Sequence, residues 1–104
     1  MKILTELRAR FREVLANYDS DVEPLLDMIR PSQDARFGDY QANMAMPLGK
    51  KLSRQPREIA SEIMSSVSLD DLCSQIEVAG PGFVNLTISD QWLTDQINEL
   101  SNST

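Results

Sequence analysis

The chain has 104 residues, a length that suits one domain with one modest core. Hydrophobic residues make up 41% and charged residues 25%, an ordinary globular balance, and the net charge of −6 argues against a stand-alone nucleic-acid binder. With no histidine and a single cysteine, the sequence excludes Ser-His-Asp and Cys-His nucleophilic sites, an internal disulfide and a structural zinc site.

Residues 3 to 17 read as an amphipathic helix with Leu4, Leu7, Phe11, Val14 and Leu15 on one stripe. Arg8, Arg10 and Arg12 fall mostly off it and read as a solvated face. "ANYDSDVEP" breaks the helix, and "PLLDMIRPS" is a short strand candidate bounded by Pro24 and Pro31. Phe37-Gly38-Asp39-Tyr40 has turn chemistry. From about Gln41 to Leu52 the pattern turns helical, with Met44, Ala45, Leu48 and Leu52 on one face. Pro47 should kink this segment or delay its start. "QPREIASEIMSSV" opens another helix with Pro56 at its first position and a stripe of Ile59, Ala60, Ile63, Met64 and Val67. "SLDDL" reads as one capped turn.

Two strands follow, Ser74–Ala79 and Phe83–Ile88, joined by Gly80-Pro81-Gly82. Ser89 caps a last helix whose stripe is Leu93, Ile97 and Leu100, with Trp92 beside it. The order predicts an α+β domain of two layers, helices on one face of a small, mostly antiparallel sheet. Residues 1–104 form a single domain in this reading.

Charge is divided along the chain. Residues 1–57 hold all ten Lys and Arg against eight acids; residues 58–104 hold eight acids and no base. A polyanion would approach the first half and be steered off the second. No apolar run nears the ~18 residues of a membrane span, and "MKILTELRARFREV" is too densely charged for a signal peptide. With Cys73 reading as a small, partly buried free thiol, a cytoplasmic protein with no membrane partner is expected.

The hairpin raises the functional question. Alternation points Val84, Leu86 and Ile88 toward a core and Phe83, Asn85 and Thr87 toward water. A ring held after a Gly-Pro-Gly corner, with an amide one pleat away, suits the recognition of an unstacked base. The pattern alone favours a plainer role, with Phe83 packed under a loop or the last helix and Asn85 tying down the turn. In "RFGDYQAN", Phe37, Tyr40, Gln41 and Asn43 could line a surface or cap the next helix. Lys50, Lys51, Arg54 and Arg57 form the densest basic cluster, which most often is a solvated helix end. A small-ligand or anion site at the corner is weaker, since no Lys or Arg lies nearby in sequence. No residue is a candidate catalyst or metal ligand.

"FGDYQAN", followed some forty residues later by "IEVAGPGFVN" (76–85), resembles the N-terminal additional domain of arginyl-tRNA synthetase. "PREIA" and both flanking helices fall in the family's order, so the resemblance covers nearly the whole chain. It implies an α+β module ahead of a Rossmann-type catalytic domain and an anticodon-binding helical domain. It also implies contact with the D-loop at the elbow of the tRNA for arginine, made by Phe83 and Asn85. Gly82, Phe37, Tyr40, Gln41, Asn43, Lys50 and Lys51 are the supporting candidates.

The family's His-containing ATP-binding signature and its Lys-Met-Ser-Lys-like loop have no counterpart here, so the chain is expected to be an excised, inactive, monomeric domain. The parent would attach arginine to its tRNA with ATP and magnesium; the domain itself needs no cofactor. Pro47 departs from the helix expected after "FGDYQAN". The competing expectation is a protein- or domain-docking module anchored by exposed Phe83 and Tyr40, with the catalytic domain of the same chain as one partner.

Overall fold

A computed structural model describes residues 3–102, with side chains described as far as Ile97. In chain order the elements are α1 (Ile3–Leu15), α2 (Glu23–Leu26), β1 (Ile29–Pro31), a 3₁₀ turn (Ala35–Phe37) and β2 (Tyr40–Ala42). They continue with α3 (Ala45–Leu52), α4 (Pro56–Ser66), β3 (Cys73–Ala79), β4 (Phe83–Ile88) and α5 (Asp90–Asn102). The four strands form one antiparallel sheet in the order β1-β2-β4-β3. Its inner face contributes Ile29, Ala42, Val84, Leu86 and Ile88 to a core completed by the helices. This is the two-layer α+β architecture expected from the element order.

Helix α1 buries Leu7, Phe11 and Leu15, one per turn, with Leu4 and Val14 half-buried beside them. Arg12 lies on a solvated face as expected, but Arg8 and Arg10 are half-buried. Arg8 donates to the carbonyls of Leu26 and Ile29, both at 3.2 Å, and so ties α1 to α2 and β1. Arg10 forms a two-pronged pair with Asp71, and Arg12 pairs with Glu23.

The strand expected over "PLLDMIRPS" is shorter than the pattern suggested. Glu23–Leu26 forms a helical turn with Pro24 in its first turn, and only Ile29–Pro31 pairs. Leu25 and Leu26 are both buried. Consecutive residues of a strand point to opposite faces, whereas a helical turn can bring both toward one core.

The helix expected from Gln41 is also corrected. Tyr40–Ala42 is strand β2, between β1 and β4. Asp39 fixes it there: its N–H donates to the Leu86 carbonyl at 2.8 Å, and its carboxylate accepts from the Ile88 N–H at 2.8 Å. Gly38, at φ 81°, leaves room for this approach, since a Cβ would sit 2.7 Å from the Leu86 carbonyl oxygen. Helix α3 then starts at Ala45, which places Pro47 in the first turn, where its missing N–H costs no helical bond. Leu52, expected on the core stripe, is exposed.

Helix α4 begins with Pro56 and buries Ile59, Ala60 and Ile63. Ser89 caps α5, accepting from the Trp92 N–H at 3.3 Å. Trp92 and Leu93 pack against the core, but Ile97 is exposed and leaves the expected stripe; Leu100 lies outside the residues with described side chains. Among the described residues, no helix is long and apolar enough to cross a membrane.

Candidate nucleic-acid interface

The sheet's outer face is built from cross-strand rows. Arg30, Gln41, Asn85 and Glu77 are successive partners across β1, β2, β4 and β3. One pleat along β4, Phe83 pairs with Ala79 at the edge of the hairpin. Phe83 is 38% exposed. Across the sheet Phe37, from the 3₁₀ turn, is 44% exposed, and the Arg36 guanidinium lies 5.7 Å from its ring centre. Phe37, Gln41, Asn43, Ala79, Phe83 and Asn85 together line a concavity of about 250 Å³.

Five of the residues singled out in the sequence therefore converge on one hollow. Asn85 differs from expectation in one respect: alternation directs it toward water, yet it is only 6% exposed. Gln41 and Glu77 on the neighbouring strands cover it, and both bond to it. Gln41 Nε2 donates to Asn85 Oδ1 at 3.0 Å, and Asn85 Nδ2 donates to Glu77 Oε1 at 3.3 Å. A buried amide with both ends engaged is held in position. Asn43 Oδ1, in contrast, is buried with no hydrogen-bond partner.

Gly82 supports the site from beneath. It is buried at φ 145° and packs on Pro56 at the start of α4. Arg57, from the same turn, donates to the Gly80 carbonyl at 2.7 Å. The fold thus brings to the corner an arginine that the linear sequence keeps 23 residues away.

The other supporting candidates sit elsewhere. Tyr40 pairs with Leu86 and packs against the core, on the face opposite Phe83. An anchor built from Phe83 and Tyr40 together is not available on one surface. Lys51 pairs with Asp19 at 2.7 Å, and exposed Lys50 lies beside it in the last turn of α3. Neither lysine lines the hollow.

Sequence reasoning missed Glu77, Arg36 and Ala79, and it read Arg57 as part of a solvated basic cluster rather than as a residue of the corner. The alternation of β3 does place Glu77 and Gln75 on one face, but which strand lies beside it is set by the pairing alone. A smaller hollow on the other side of Asn85, about 120 Å³, is lined by Arg36, Gln75, Glu77 and Thr87 among others. Charge on this face is mixed. Arg36 is engaged by Asp34, whose carboxyl it holds below the usual carboxylate range. Among the described residues, no group of three or more His, Cys, Asp or Glu could hold a metal ion.

The molecule is thus a two-layer α+β domain that presents a polar sheet face flanked by two exposed phenylalanines. It belongs to the family of arginyl-tRNA synthetase N-terminal domains, which matches residues 5–88. Among its relatives, the arginine–tRNA ligase of Rhodopirellula baltica is 40% identical over 100 residues, 96% of this chain and 15% of that protein. The arginine–tRNA ligase of Thermobifida fusca is 45% identical over 80 residues, 77% of this chain and 13% of that protein. The fold is shared with the crystal structure of arginyl-tRNA synthetase from Plasmodium falciparum (TM-score 0.77, 18% identity, 97% of this chain and 18% of that one). The chain therefore spans less than a fifth of the length of each of these proteins.

Proposed function

We propose that this chain is the tRNA-contacting accessory domain of an arginine–tRNA ligase, and that the outer sheet face meets the tRNA elbow at the D-loop. The observation that carries the reading is the hollow beside Phe83. An exposed ring stands at its rim, and the amides of Asn85, Gln41 and Asn43 line it. A splayed-out base needs a stacking surface and hydrogen-bonding groups within one nucleotide's reach. Phe83 supplies the first, and the free valences of Asn85 supply the second. The parent enzyme joins arginine to tRNA with ATP and magnesium on its catalytic domain; the residues of this chain bind and orient the nucleic acid. It works as a monomeric unit of a cytoplasmic enzyme.

The net charge of −6 assigns the domain an auxiliary share of the affinity, since most affinity for nucleic acid comes from phosphate neutralisation. The test is a footprint of tRNA for arginine on the full-length enzyme, with and without residues 1–104. Protection of D-loop nucleotides is expected only when the domain is present, and should weaken as salt rises. Unchanged D-loop protection without the domain would overturn the reading. A docking role against the enzyme's own body predicts instead a salt-insensitive association and no D-loop footprint.

A further inference from the structure

Glu77, Asn85 and Gln41 are cross-strand neighbours in one row, and their side chains form one hydrogen-bonded chain. In isolation each amide could turn over and exchange oxygen for nitrogen with little change of shape. A carboxylate, however, only accepts. Glu77 therefore admits one orientation of Asn85, with nitrogen toward β3 and oxygen toward β2. That oxygen in turn requires a donor from Gln41, so the Gln41 Nε2 must face it. A single carboxylate sets the polarity of both amides.

Asn85 keeps one Nδ2 proton and one Oδ1 lone pair uncommitted, and it lines the hollow next to Phe83. Their order matters to a base. On the Watson–Crick edge, adenine and cytosine carry an exocyclic donor beside a ring acceptor; guanine and uracil carry an exocyclic acceptor beside a ring donor. An amide of fixed polarity distinguishes the amino bases from the keto bases, and one free to turn over does not. Resting on the reading that a base stacks at Phe83, we propose that Glu77 is a positioning residue that sets the base preference by locking the Asn85–Gln41 pair.

The experiment measures arginylation kcat/KM of the full-length parent enzyme on tRNA transcripts carrying each base at each D-loop position. Wild type, Phe83→Ala, Glu77→Gln and Glu77→Asp are compared. Glutamine keeps the shape of Glu77 but can donate or accept, and the side chain is exposed on an edge strand, where the change is tolerated by the fold. Wild type should show one position where amino and keto bases differ by roughly tenfold or more. At that position the ratio should collapse toward unity in Glu77→Gln and be better retained in Glu77→Asp, which remains an acceptor. Phe83→Ala should lower kcat/KM with every base there.

A wild-type enzyme without amino/keto discrimination at any D-loop position overturns the proposal. So does a Glu77→Gln enzyme whose kcat/KM changes by one common factor on all transcripts, because the carboxylate would then act only by repelling phosphate. If Phe83→Ala matters and Glu77→Gln leaves the ratio intact, this inference alone fails. If Phe83→Ala has wild-type kinetics throughout, the elbow reading beneath it fails as well.

Discussion

Gly82 sits hard against Pro56: a Cβ on this glycine would lie 2.9 Å from both the carbonyl carbon and the Cβ of the proline. The contact joins the hairpin corner to the first turn of α4, and Arg57 strengthens it by donating to the Gly80 carbonyl. Phe83 follows directly. The orientation of the ring is thus referred to the helical layer rather than to a free loop.

Gly82→Ala should therefore destabilise the chain. The dihedral φ of 145° is closed to side-chain-bearing residues, a strain of about 1–3 kcal/mol before the clash with Pro56 is added. Denaturant unfolding of residues 1–104 checks this, and an unchanged midpoint would show that the corner is not held by the helix.

Phe83→Ala and Asn85→Ala should separate stability from recognition. Phe83 is substantially exposed, so its removal should leave the unfolding midpoint nearly unchanged. In the full-length enzyme it should cost roughly 1–3 kcal/mol of tRNA kcat/KM, the worth of one base–aromatic stack. Asn85 is buried and bonds to Gln41 and Glu77. Its truncation should lower stability by about 1–3 kcal/mol, because it leaves buried polar groups unpaired, and it should also weaken tRNA kinetics. On tRNA kinetics the two substitutions should be non-additive if both groups hold one nucleotide. Strict additivity would count against a shared ligand.

The Arg10–Asp71 pair should make a small, pH-dependent contribution. Hydrogen bonds from the Arg10 guanidinium, at 2.5 and 3.0 Å, hold the Asp71 carboxyl below its usual range. The unfolded chain binds this proton more readily, so the stabilisation is present above the ordinary carboxylate pKa and is lost as pH falls through the lowered one. Asp71→Asn should be slightly less stable than wild type near neutral pH, with the gap closing as pH falls below the ordinary carboxylate range. The side chain is 63% exposed, so the gap should also shrink with salt. A gap that widens on acidification would reverse the assignment.

Cys73 should be inert in the folded protein. Burial pushes its thiol up to about 11, against a smaller opposing influence from Arg10. Since the thiolate is the reacting species, alkylation at neutral pH should be slow and should accelerate on unfolding. Mass spectrometry of iodoacetamide-treated chain reads this out; rapid labelling without denaturant would contradict the buried placement.

Local signals determined much of this protein. The periodicity of α1 and α4, the Gly-Pro-Gly corner, the strand faces around it and the Ser89 cap are each settled within a few neighbouring residues, and the sequence displays them directly. The phrases "FGDYQAN" and "IEVAGPGFVN" carried the family. Tertiary structure alone decided the rest. Three residues are too few to show a period, so Tyr40–Ala42 became a strand only because β1 and β4 lie on either side of it and Asp39 bonds across to β4. That pairing turned Tyr40 toward the core and Gln41 toward the hollow. It also buried Asn85, although its strand face points to water. Side chains from two other strands cover and hold it, and alternation along one strand carries no information about what the adjacent strands place beside it.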